Sequence, residues 1–211
     1  MGESESDDVR AIVRVFADVV RTFESSRIPY LAIGSVAASA WGALEWPRAF
    51  ADVDFLLAEP DVASALRALE ADGFHTERPP EEDWLAKAHR DGVLVDVIFR
   101  AAGNMRLDHN MLSHGQVWEI SGVPVRVCAP EDFALMQATS LSRETADHLF
   151  NGAAVLRSAA IAWDYLESRA AGVEGRLLAL LLYARSEGVA MPHAMCERLL
   201  AASRERTAVA T

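Results

Sequence analysis

The chain has 211 residues, 51% of them apolar, with 31 acidic against 20 basic side chains and a formal net charge of −11. That length allows one α/β domain with a helical extension, the apolar share supports a real core, and the acidic balance argues against a general DNA-binding surface. No apolar run approaches a membrane span, the acidic start Met1–Asp8 lacks the pattern of a secretion signal, and the two distant cysteines, Cys128 and Cys196, read as reduced thiols of a cytoplasmic protein.

In chain order, apolar residues at helical spacing from Val9 to Phe23 predict a first helix, capped by Asp7 or Asp8. Tyr30–Ile33 reads as a short buried strand that runs into Gly34-Ser35, and Ser35 then caps a helix over Val36–Leu44. A strand over Asp52–Leu57 follows, then a helix from Pro60 or Asp61 to Leu69 that Asp72-Gly73 stops. Phe74–Arg78 reads as a strand, Glu81-Glu82-Asp83 as the solvated start of a helix, and Val93–Phe99 as a strand. Gly103–Gly115, with His109 and His114, reads as a polar loop. Val117–Ile120 and Val123–Val127 form a hairpin about Ser121-Gly122. From Glu131 the pattern is helical, with segments Glu131–Leu141, Arg143–Arg157, Ala160–Ala170, Glu174–Ser186 and His193–Arg204, and a frayed end from Glu205. The expected architecture is α+β: a small mixed β-sheet with flanking helices over residues 1–129, then a helical subdomain over 130–211.

The chemistry is concentrated in three carboxylates. Asp52 and Asp54 stand two apart in a strand, so they project from one face. Two ionised carboxylates that close repel each other unless a cation lies between them. Asp96 sits within Val93–Phe99, an apolar run where an unpaired charge is costly. Three converging carboxylates suit Mg²⁺ (or Mn²⁺), a hard cation that takes oxygen ligands and shares its shell with phosphates. Upstream, a strand that turns at Gly34 into a helix start leaves free N–H groups where phosphate binds well. Each piece alone has an ordinary reading: Asp-x-Asp as a solvated strand end, Asp96 as a solvent-facing strand residue, Gly-Ser as a plain turn. The six histidines show no zinc spacing. Trp46 could stack on a base beside the site, whereas Trp41, Trp163 and Tyr165 read as core.

With Gly34-Ser35, Asp52-Val53-Asp54 and Asp96 in this order, the chain resembles the nucleotidyltransferase superfamily of polymerase-β type over roughly Ile28 to Phe99. Within it, the likeness is to the minimal enzymes of bacterial abortive-infection and toxin–antitoxin systems and to the antibiotic-modifying branch. Arg48 matches an arginine that small bacterial members carry before the first aspartate, which implies contact with the triphosphate or with the Asp cluster; by itself it reads equally as an ion pair with Asp52. Pro130-Glu131-Asp132 resembles the segment that opens the helical tail in those proteins, and Arg143 and Asp147 match residues that follow it, but Gln137 stands near where relatives carry lysine. The resemblance implies transfer of a nucleoside monophosphate from an NTP to a hydroxyl acceptor (small molecule, tRNA or protein) and release of pyrophosphate, with Asp52, Asp54 and Asp96 as catalytic and metal-holding residues and Gly34, Ser35 and Arg48 on the nucleotide. The alternative is a catalytically silent nucleotide- or partner-binding module on the same fold. The helical tail could pair with a second copy as a homodimer.

Overall fold

The computed structural model of the chain describes residues 3–47, 52–140 and 147–209. They form two compact units, Met1–Ala40 with Leu44–Ala129, and Trp41–Ala43 with Pro130–Thr211. No helix among the described residues is long and apolar enough to cross a membrane.

The first unit is a mixed α+β layer. Its seven described strands are β1 (Tyr30–Ala32), β2 (Val53–Leu57), β3 (His75–Glu77), β4 (Leu85–Arg90), β5 (Val93–Ile98), β6 (Gln116–Ile120) and β7 (Val123–Val127). They lie in one sheet in the order β3-β4-β5-β2-β1-β7-β6. β2 runs parallel to β5 and antiparallel to β1, which places the Asp-x-Asp strand at the centre. Helix α1 (Glu3–Ser25) buries Ile12, Val15, Phe16, Val19, Val20 and Phe23, the stripe that the 3.6-residue period marks out. That stripe lies on Phe55 of β2: the rings of Phe16, Phe23 and Tyr30 stand 6.1, 5.4 and 5.5 Å from it. Aromatic pairs at such distances add to the burial itself. Because neighbours along a strand point to opposite faces, anchoring Phe55 under α1 turns Asp54 to the other face.

Several boundaries differ from those the sequence predicts. Helix α2 (Gly34–Ala40) starts at Gly34 and stops short of Trp41. Ser35 therefore lies in its first turn and makes no capping bond. Helix α3 (Glu59–Ala71) begins a residue before Pro60 and stops at Asp72-Gly73. Glu81–Asp83 is a turn that leads into β4, not a helix start. Within the expected loop, α4 (His109–His114) forms because the Asp108 carboxylate accepts the Met111 N–H at 2.8 Å and Met111 is fully buried. His109 and His114 are exposed on it.

The second unit is helical: α5 (Pro130–Thr139), α6 (Asp147–Ser158), α7 (Trp163–Arg169), α8 (Glu174–Ser186) and α9 (His193–Val209). Pro130-Glu131-Asp132 works structurally here. Glu131 accepts the Ala162 N–H ahead of α7, and Asp132, 0% exposed, accepts from the Tyr165 hydroxyl at 2.9 Å and lies 3.3 Å from the Arg169 guanidinium. Buried acids need such partners. Trp163 and Tyr165 are only half-buried, and Leu166 is the core residue of α7. Trp41 is buried, as its apolar spacing implies, but beyond the end of α2; its carbonyl accepts from Ser158 of α6. The C-terminal helix continues through Glu205 to Val209.

Candidate active site

Asp54 and Asp96 are register partners in the parallel β2–β5 ladder, so their side chains leave the same face side by side. Asp52 lies one residue before β2. One carboxylate oxygen from each of Asp52, Asp54 and Asp96 lies within 4.8 Å of the others. Asp52 is exposed and the other two are half-buried. The three acids thus converge in space from two separate segments.

Gly34 closes the site on the β1 side. The Ile33 N–H donates to the Asp54 carbonyl at 3.0 Å, which keeps the end of β1 against β2. A Cβ at Gly34 would stand 2.0 Å from Asp54 Oδ2, and the backbone there has φ +56°. Only glycine meets both conditions without strain. Ser35 Oγ is buried with no hydrogen-bond partner among the described residues, and so is Asp96 Oδ1. Buried polar atoms are normally partnered, and an orphan oxygen within the carboxylate cluster itself suits a polar ligand.

Electrostatics agree. Burial, then the charges of Asp52 and Asp96, push the Asp54 carboxyl up to about 7. Burial and the Asp52 charge raise Asp96 to about 6, against the opposing charge of Lys87. Both groups are held as ions only at a cost that a bound cation would remove. An all-oxygen donor set of this charge fits a hard divalent ion such as Mg²⁺. Beside Asp52 a cavity of about 330 Å³ opens, lined by Asp8, Ala11 and Ile12 of α1 and by Asp91, Gly92, Val93 and Leu94.

Among the described residues, Trp46 and Gln137, which the sequence also singles out, have partners of their own, and one residue that it does not single out stands beside the cluster. Arg48 and Arg143 lie outside the described residues. Trp46 is half-buried and packs edge-on against Phe16, 4.9 Å between ring centroids. Gln137 is engaged within the helical unit, its Oε1 2.8 Å from His148 Nδ1. The unforeseen residue is Lys87, the register partner of Asp96 on β4. The signal that could have found it is Asp91-Gly92, a two-residue hairpin turn with φ of 52° and 77°.

A family model described as uncharacterised nucleotidyltransferase matches residues 7–186. No curated protein matches. Among solved structures, the antibiotic-resistance factor ANT(2'')-Ia is similar at 16% identity, 95% of each chain and a TM-score of 0.49. The lincosamide antibiotic adenylyltransferase LnuA is similar at 14% identity over 65% of this chain and 91% of its own, with a TM-score of 0.47. JHP933 from Helicobacter pylori is similar at 13% identity over 100% of both chains, with a TM-score of 0.48.

Proposed function

This chain belongs to the family of uncharacterised nucleotidyltransferases, and from that premise we propose that it moves a nucleoside monophosphate from an NTP to a hydroxyl acceptor and releases pyrophosphate. The observation that carries this reading is the convergence of Asp52, Asp54 and Asp96 against the Gly34 turn. Those three carboxylates would hold Mg²⁺ (or Mn²⁺), which when bound supplies charge neutralisation for the phosphates and for the attacking and departing oxygens. The acceptor oxygen bonds to the α-phosphorus while the bond from that phosphorus to the α–β bridging oxygen breaks, and the electron pair leaves with pyrophosphate. Asp96 would either complete a second metal site or take the proton of the acceptor hydroxyl. Gly34 would let the main chain approach the phosphates, and the Ser35 hydroxyl, without a partner among the described residues, would donate to one of their oxygens. Arg48 is assigned to the triphosphate by the resemblance. Most of the rate enhancement then comes from positioning and charge stabilisation.

The test is pyrophosphate release from each of the four NTPs with Mg²⁺, offered a small polyhydroxyl compound set, bulk tRNA and a protein hydroxyl source. Wild type is expected to turn over one combination and Asp54→Asn none. An Asp54→Asn protein as active as wild type would overturn the assignment.

A further inference from the structure

Of the 20 basic residues in the chain, Lys87 alone is lysine. Glu77 on β3, Lys87 on β4, Asp96 on β5 and Asp54 on β2 are successive register partners across four adjacent strands. Their side chains therefore stand in one row on one face. Adjacent strands lie ~4.8 Å apart. A lysine ammonium on its four-carbon stem reaches roughly 6 Å, so it can swing over Asp96 toward the space above Asp54.

A fixed cation beside a cluster that holds a divalent ion repels that ion. It is compatible with the site when something strongly negative arrives with the metal, and an NTP does. In the structure the Lys87 ammonium rests 2.9 Å from Glu82, and both side chains are half-buried. Glu82 lies in the turn ahead of β4, outside the ladder, so this contact can open without breaking a strand pair. Lysine, a compact point charge on a flexible stem, suits such a movement better than the planar arginine used elsewhere in the chain. A plain half-buried ion pair is the competing account, and it predicts the same effect from the loss of either partner.

We propose that Lys87 is a substrate-binding residue whose ammonium leaves Glu82 and donates to a phosphate oxygen of the NTP held over Asp54 and Asp96. The proposal rests on the reading of the three aspartates as a nucleotidyl-transfer site.

The experiment is calorimetric titration of the α,β-methylene analogues of ATP, GTP, CTP and UTP in Mg²⁺, using the tightest of them, on wild type, Asp54→Asn, Lys87→Met, Lys87→Arg and Glu82→Gln. Mg²⁺ alone is titrated in parallel. Loss of one charged hydrogen bond predicts that Lys87→Met weakens the analogue about ten- to a hundredfold. Lys87→Arg should recover part of that loss, Glu82→Gln should bind as well as wild type or more tightly, and Mg²⁺ alone should bind Lys87→Met no worse than wild type. An affinity of Lys87→Met within twofold of wild type would overturn the proposal while leaving the aspartates' role intact. Equal weakening by Glu82→Gln and Lys87→Met would overturn it too, since the ion pair and not the free ammonium would then matter. Wild type that binds no analogue, or Asp54→Asn that binds as well as wild type, would overturn this proposal together with the functional reading beneath it.

Discussion

The carboxylate cluster predicts a stabilisation by Mg²⁺ that grows with pH. Asp54 in the folded chain titrates at about 7, against an ordinary 3.8. A carboxyl raised in this way contributes stability that is complete below pH 3.8 and is lost as the pH climbs through 7, because the unfolded chain ionises first. The metal-free protein should lose about 4 kcal/mol from this group between pH 4 and pH 8. Mg²⁺ must displace the same proton. At pH 6 about one Asp54 in eleven is ionised, and at pH 8 about ten in eleven, so metal affinity should rise about tenfold, or ~1.4 kcal/mol, across that interval. Asp96, raised to about 6, acts in the same direction. For a chain of this size each kcal/mol moves the melting temperature ~2–4 °C. The shift between EDTA and about 10 mM MgCl₂, at matched ionic strength, should therefore be ~3–6 °C larger at pH 8 than at pH 6. Differential scanning fluorimetry on wild type and Asp54→Asn measures it. The variant should melt higher than wild type without metal at pH 8, since a crowded charge is gone, and should lose most of the response to Mg²⁺. Equal Mg²⁺ shifts at the two pH values, or a full response in Asp54→Asn, would refute the assignment of the raised carboxyls to a metal cluster.

Other outcomes follow from single contacts. Gly34→Ala places a Cβ 2.0 Å from Asp54 Oδ2 at a φ of +56°, so it should abolish the Mg²⁺ shift and lower the melting temperature, whereas Gly73→Ala, at φ +84° with open space around it, should lower the melting temperature only and keep the Mg²⁺ shift. Phe55→Ala removes the ring on which α1 rests and should cost about 3–5 kcal/mol in urea unfolding. Asp108→Ala removes the cap of α4 and should cost about 1 kcal/mol by the same measurement. Asp132→Ala leaves the buried face of Arg169 without its carboxylate and should cost about 3 kcal/mol or more, read from the helical unit by hydrogen exchange.

The features legible in the sequence are those that a short local pattern encodes. The α1 stripe has the helical period, and Ser121-Gly122 reads as a tight hairpin turn, where both residues indeed take positive φ (51° and 79°). The aspartates are legible because acids inside apolar strands are rare enough to stand out. The misses arise where contacts outside a segment's own residue pattern decide the outcome. Leu85–Arg90 has two alanines and no β-branched residue, and it becomes a strand because all six residues pair with β5. Asp91-Gly92 carries the hairpin signal, but the acidic run Glu81–Asp83 ahead of the strand favours a helix start. Losing β4 means losing Lys87. Trp41–Ala43 continues an apolar helical spacing in the sequence, yet it belongs with the second unit, where the Ser158 side chain, over a hundred residues on, meets it.

The same contrast bears on how the site tolerates change. Asp54 is fixed from three directions that different segments supply: Phe55 beneath α1 sets its face, Asp96 sets its lateral neighbour, and the absence of a side chain at Gly34 leaves room for its Oδ2. Each constraint is steric or topological, and none depends on the ionised state of the carboxyl. The repulsion among the three acids is therefore resisted by the fold rather than relieved by it, and Asp54 keeps its raised proton affinity in the metal-free protein. A site relieved by internal counter-ions would hold a cation less tightly. The one neighbouring ammonium that could have served, Lys87, is engaged by Glu82, and the cluster stays available for a divalent ion and the phosphates that accompany it.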